Sequence, residues 1–247
     1  MAPNGKSSPN SNEREVSSPP PVRISPGYVF LLICSPGLVA PLYCFVGRLV
    51  AQSHLSCFDY LALVSLLGIT FVGGFQIFFW IQNNNYRFKT RCLKIWLDDF
   101  IPFWPRWIWV YSVLFYILVG LVAVSIPTLE QGVYVIFGGL VLLLVQSLFF
   151  FAFPCTVPPS WREYELTNLS TRFLRFNQDL DNGRNCFPSM HCSVAMYAAL
   201  IMLPTLSYSA LLVVLVTSLS GLFVKQHQIL DIPAGIALGM GVHALVF

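Results

Sequence analysis

The sequence predicts an all-α protein, a polytopic transmembrane helical bundle of six to seven spanning helices. Two observations carry this. Only 10% of the 247 residues are charged and 56% are apolar, whereas roughly 25% of a soluble domain is charged. The apolar residues also fall in long unbroken runs, and a helix that crosses a bilayer needs about 20 of them. Strands of a membrane barrel would give short alternating runs instead.

Seven segments meet or approach that length, at 28–50, 58–82, 106–126, 132–153, 192–206, 208–224 and 229–247. The fifth and seventh lie near the lower limit. The chain ends inside the seventh, as a fragment of a longer protein would. Residues 1–27, rich in Ser, Pro and Asn, lack the apolar surface to bury a core and are expected to be a disordered tail. They do not read as a secretory signal, because the first apolar run starts too late and is too long. The remainder, 28–247, is expected to be one membrane domain with two substantial loops, 83–105 and 154–190.

Lys and Arg orient the bundle. With the tail inside, the inside set holds Lys6, Arg14, Arg23, Arg87, Lys89, Arg91, Lys94, Arg106, Arg162, Arg172, Arg175, Arg184 and Lys225, and the outside set holds Arg48. That asymmetry puts both long loops on the cytoplasmic side. The aromatic stretch with Trp104, Trp107, Trp109 and Tyr111 suits an interfacial belt where the third segment begins. Asn168-Leu169-Ser170 is an N-glycosylation triplet. It is usable only in a lumenal loop, and such triplets arise often by chance.

The seven cysteines, Cys34, Cys44, Cys57, Cys92, Cys155, Cys186 and Cys192, are scattered and show no paired zinc spacing. They read as small buried apolar residues. The net charge of +3 does not point to nucleic acid, because the basic residues are not gathered in one soluble domain.

Polar groups at the edge of the hydrocarbon are costly and so have a reason to be there. One cluster, Asn185 to His191, leads into the fifth segment. The other, Lys225, Gln226 and His227 with Asp231, lies between the sixth and seventh. An up-and-down helix pair separates them and returns the chain to the same face, so His191 and His227 can meet. Pro188 precedes a helix start that Ser189 can cap, and the free N–H groups there favour a bound anion such as phosphate. His191 on that first turn is placed to give or take a proton. Asp231 stands four residues after His227, close on a helical turn, where a carboxylate holding one ring nitrogen makes the other a better nucleophile. Lys225 adds positive charge. Either histidine alone reads as an ordinary interfacial residue; the pair on one face favours a site. Two histidines and a carboxylate could ligate zinc, but nothing else points that way. His54 and His243 have no such company.

These residues carry a resemblance. The run Phe187-Pro188-Ser189-Met190-His191, followed by Lys225-Gln226-His227 and Asp231, resembles the type 2 phosphatidic acid phosphatase superfamily. Pro188, Ser189 and His191 match its second motif, with Met190 where glycine is usual. Ser220, His227 and Asp231 match its third, with Gly221 in place of the arginine. The variants are similar to those of the branch that contains inositol phosphorylceramide synthases. The first motif is poorly matched: Arg162 is the nearest counterpart of its arginine, with Arg172, Arg175 and Arg184 as alternatives.

The resemblance implies a metal-independent, cofactor-free lipid phosphatase. His227 would attack phosphorus and form a phosphohistidine, oriented by Asp231. His191 would protonate the leaving oxygen. Arg162, Ser189 and Lys225 would bind the phosphate, and the substrate would be a phosphorylated lipid. Hydrolysis is favoured over a sphingolipid-type phosphotransfer. A non-catalytic membrane relative is the rival from another class. A transporter would show inverted repeats, and none is visible. Gly235 and Gly239, four apart, permit close helix packing within or between chains.

Overall fold

The protein is described here from a computed structural model over residues 26–85, 87–181 and 183–247, with side chains from Pro36 onward apart from Leu38, Phe71 and Phe75. The tail expected over 1–27 lies outside the described residues except for Pro26 and Gly27, which open the first helix. The chain divides into two units, residues 1–34 and 35–247. Of the first, the described part is the opening of that helix.

The described residues are helical, in the order α1 (Pro26–Val50), α2 (Cys57–Asn84), α3 (Phe115–Val124), α4 (Leu129–Ala152), α5 (Leu169–Leu180), α6 (Met190–Leu206), α7 (Leu211–Phe223) and α8 (Asp231–Val246). Short 3-10 turns at Trp96–Asp99 and Pro105–Trp107 and a π turn at Val110–Leu114 lead into α3. Local chemistry sets several starts. Ser56 and Asp59 form a capping box on α2, Thr128 caps α4 by accepting from the Gln131 amide, and Ser189 caps α6 by accepting from the Cys192 amide.

Four helical stretches are long and apolar enough to cross a membrane: Cys57–Asn84, Pro105–Val124, Leu129–Ala152 and Met190–Phe223. Val39–Val50 and Asp231–Val246 are shorter apolar helices. The stretch Met190–Phe223 is one run by composition but two helices in space. The backbone turns at Ser207 (φ 51°) and passes through a 3-10 turn to Ala210. Cys192 Sγ, near the start of α6, lies 3.4 Å from Ser218 Oγ, near the end of α7. The two therefore form the antiparallel pair that the sequence predicts. At 17 and 13 residues, each falls short of the ~20 that a full crossing needs.

Between 19% and 33% of the most apolar window of each long stretch is buried in protein, so most of each faces outward. Leu144, Leu148, Ile117 and Ile69 are among the exposed side chains. In water these faces would form an apolar patch far beyond a few hundred Å²; hydrocarbon removes that cost. The core lies among α2, α3, α4, α6, α7 and α8, around Tyr60, Leu63, Ala195, Ala199, Met202 and Val242.

The 154–190 segment, read as loop from the sequence, contains α5. Asn168 caps it by accepting from the Thr171 amide at 3.0 Å, and Leu174 packs with Ile108, Tyr111 and Val224. The glycosylation triplet is thus also a helix start. Among the described cysteines, Cys44, Cys155, Cys186 and Cys192 are buried as expected, while Cys57 and Cys92 are exposed. Burial pushes the Cys155 thiol up to about 12 and that of Cys186 well above its ordinary value, so both stay neutral.

Gly235 and Gly239 serve packing within the chain. A Cβ at Gly235 would collide with the Ser189 carbonyl oxygen, and one at Gly239 with that of Ser193. The two glycines let α8 lie directly on the backbone of α6. Replacing Gly239 with leucine is expected to force the helices apart and destabilise the protein by about 2 kcal/mol or more, the upper range for overpacking. Thermal unfolding in detergent micelles should show a lowered Tm for Gly239→Leu and an unchanged Tm for Gly241→Leu, where nothing stands within 4 Å of an added Cβ. Equal Tm values for the two variants would contradict this packing.

Candidate active site

The α6–α7 pair brings both histidine clusters to one end of the bundle. His191 sits on the first turn of α6, and His227 lies in the turn between α7 and α8. Their ring centroids are 6.0 Å apart. Closure of α7 makes that turn: the amides of Gln226 and His227 both donate to the Gly221 carbonyl, at 3.0 and 3.3 Å, and Lys225 takes a φ of 57°. The left-handed conformation folds the chain back so that His227 returns over the end of α7.

The two motifs are joined through backbone. The Ser189 amide donates to the Asp231 carbonyl at 3.0 Å. Asp231, fully buried, accepts the Gln228 amide on Oδ2 at 2.8 Å, and the same oxygen lies 3.4 Å from His227 Nδ1. With Nδ1–H directed at the carboxylate, His227 Nε2 carries the lone pair. Ser189 Oγ stands 3.1 Å from that Nε2. The predicted partnership of His227, Asp231 and Ser189 is therefore a set of direct contacts. Ser189 opens α6, whose first amides, those of Met190 and His191, have no acceptor within the helix and point out of its positive end.

A tyrosine completes the group. Tyr111, on the π turn before α3, places its hydroxyl 3.0 Å from His191 Nδ1 and 3.3 Å from His227 Nε2. Its ring stacks on His191 with centroids 4.1 Å apart and planes at 29°. Sequence reasoning assigned Tyr111 to the interfacial belt and missed this; the aromatic run held no signal that would have singled it out.

The basic residues are placed less directly. Arg162 Nη1 donates to the carbonyls of Gln178 and Asp181, at 3.3 and 2.8 Å, at the end of α5. Its Nη2 is buried with no hydrogen-bond partner in the protein. Lys225 is buried; its Nζ donates to the Asp98 carbonyl at 2.9 Å and lies 4.5 Å from the Trp161 ring. An ammonium has three donors, so this contact leaves others for an anion. Burial lowers the Lys225 pKa, opposed by the nearby charges of Asp98 and Asp99. Among the alternatives, Arg175 donates to the Arg162 carbonyl at 2.7 Å and covers the Tyr164 ring, Arg184 donates to Thr90 Oγ1 at 3.1 Å, and Arg172 is exposed.

Asp98 is a second residue that the sequence did not single out. It is buried, and its two carboxylate oxygens accept the amides of Ile229 and Ile95, at 2.9 and 2.8 Å. It pins the Trp96–Asp99 turn to the loop that carries His227. Among the described residues no set of three His, Cys, Asp or Glu side chains is arranged to hold a metal ion.

His191 also faces a partly open cavity of about 410 Å³ lined by α1, α2, α3, α4 and α6. Its lining is mostly apolar, with Gln146, Tyr43, Thr70, Tyr116 and Tyr197 as the other polar side chains. Gln146 fixes the floor of the site: it donates to the Pro188 carbonyl at 2.7 Å and accepts from Ser193 Oγ at 3.0 Å.

No curated protein and no solved structure matches this chain. A family model does, that of the PAP2 superfamily, over residues 95–245. That span takes in the Trp96–Asp99 turn, Tyr111, α5 and both histidine clusters, and on it the chain belongs to the PAP2 superfamily.

Proposed function

We propose that this protein is a multi-pass membrane enzyme that hydrolyses a phosphate ester of a lipid through a phosphohistidine on His227. The observation that carries the proposal is the environment of His227 Nε2. It bears the lone pair of the ring, because Nδ1 faces the buried Asp231 carboxylate at 3.4 Å, and it stands beside the α6 amino end and 6.0 Å, ring to ring, from His191.

The chemistry follows from the parts. The Nε2 lone pair of His227 forms a bond to phosphorus as the ester P–O bond breaks, and that electron pair leaves with the lipid oxygen. His191 gives the leaving oxygen its proton. Asp231 balances the charge that His227 gains. The free amides at the α6 start, with Ser189, Lys225 and Arg162 Nη2, stabilise the phosphoryl oxygens, where most of the rate enhancement of phosphoryl transfer arises. Water, deprotonated by His191, then releases phosphate and restores His227. The cavity beneath His191 supports a lipid leaving group, since an apolar chain there keeps its headgroup oxygen beside the imidazole. The same lining favours a second reading, transfer of the phosphoryl-bearing group to another lipid alcohol.

Purified protein in mixed micelles with labelled phosphatidate and a ceramide-type acceptor separates these readings. Phosphate release is expected, and it should fall by at least about 10³-fold in His227→Ala, since loss of a covalent nucleophile removes the whole two-step route. Label appearing on a second lipid would replace hydrolysis with transfer. Equal activity in wild type and variant would contradict an enzyme built on His227.

Lys and Arg asymmetry supports a cytoplasmic active-site face. Asn168 is exposed at the start of α5, so it reports on topology when the protein is expressed in cells with a glycosylating secretory pathway. No mass change on glycosidase treatment is the expected result. A glycan at Asn168 would place the loop, and the site with it, in the lumen.

A further inference from the structure

The third motif lacks its usual arginine at Gly221, and the structure shows what occupies the neighbouring space. A Cβ on Gly221 would stand 3.0 Å from His227 Cδ2 and 3.5 Å from the Tyr111 ring. Tyr111 and His227 thus close over the bare backbone of α7, and the tyrosine ring reaches the two imidazoles by the route a side chain at 221 would block. The π turn at Val110–Leu114 helps to deliver it; such widened turns often mark functional positions. Phe115, on the next turn, also packs against His191, with ring centroids 4.7 Å apart.

We infer that Tyr111 is a positioning residue that fixes the proton arrangement of both histidines, a role that rests on the phosphohistidine reading of His227. The hydrogen bonds define it. His227 Nε2 has one lone pair within reach of two hydroxyls, Ser189 Oγ at 3.1 Å and Tyr111 at 3.3 Å, and in this arrangement the Tyr111 hydroxyl donates to it. The tyrosine oxygen then accepts, and His191 supplies the proton from Nδ1. That leaves Nε2 as the nitrogen of His191 that exchanges a proton with the substrate.

The two half-reactions need this to different extents. In the first, His191 is an imidazolium with a proton on each nitrogen, and Nε2–H passes its proton to the leaving oxygen. No choice of tautomer arises. In the second, neutral His191 must remove a proton from water, and only the Nδ1–H tautomer leaves Nε2 free to do so. Tyr111 selects that tautomer by accepting from Nδ1–H. Once His227 Nε2 is bonded to phosphorus it no longer accepts, and the hydroxyl turns its proton to a phosphoryl oxygen while it continues to accept from His191. Without the hydroxyl, dephosphorylation should slow more than phosphorylation.

The test is a rapid acid-free quench of full-length protein turning over ³²P-labelled phosphatidate, comparing wild type with Tyr111→Phe, which keeps the ring and its stacking. The expected result is a 10- to 100-fold fall in kcat together with a rise of several-fold in the steady-state fraction of phosphorylated His227. A merely structural role would slow both steps and leave that fraction unchanged or lower. An unchanged kcat, or a fallen kcat without the rise, overturns the assignment. Phosphate release that survives His227→Ala instead overturns the phosphohistidine reading on which the assignment rests, so the two failures are distinguishable.

Discussion

The whole site depends on how closely α8 lies against α6. Gly235 and Gly239 remove the side chains that would hold the helices apart, and the Ser189 and Ser193 carbonyls fill the space. That approach brings the Ser189 amide to the Asp231 carbonyl, which locks the start of one helix to the start of the other. The nucleophile candidate, its carboxylate and the capping serine are then set by backbone, with few soft torsions between them. Small residues at helix contacts matter especially in a membrane, where no hydrophobic effect drives helices together and close van der Waals fit must do so.

The same arrangement resolves a conflict between solvent and chemistry. The outer faces are apolar enough to require lipid, while a phosphate ester carries charge that hydrocarbon would penalise. The structure keeps its polar groups at the helix ends and covers them with α5, the Trp96–Asp99 turn and the Trp161 ring beside Lys225. Lys225, His227 and Asp231 are buried there, where preorganised donors are worth more than in water. Asp98 holds the loop that carries His227, and Gln146 holds the Pro188 carbonyl ahead of α6.

Much of this was legible in the sequence, for definite reasons. Long apolar runs mark helices whatever their partners, and the observed helices follow the predicted segments closely. The meeting of His191 and His227 followed from counting two helices between them, and the pairing of His227 with Asp231 from their spacing. Other features were not legible because they depend on contacts between distant parts of the chain. Tyr111 is 80 and 116 positions from the histidines it touches, and its neighbours supplied an ordinary interfacial explanation. The short α5 lies in a polar stretch, and its amphipathic pattern through Phe173, Leu174 and Leu180 is too short and too polar to stand out beside the long apolar runs. Whether Gly235 and Gly239 serve one chain or two could not be read from their spacing, since it fits both. The basic residues were the least readable: Arg162 and Lys225 each hold backbone carbonyls as well as offering charge.

The central claim is that His227 carries the phosphoryl group. The most direct measurement is peptide mapping of the protein trapped during turnover of labelled phosphatidate at alkaline pH, where a phosphoramidate survives and a carboxyl phosphate does not. The account predicts acid-labile, alkali-stable label on the peptide that contains His227, absent from His227→Ala and present in His191→Ala. Label on any other residue, or turnover with no labelled protein, would contradict it.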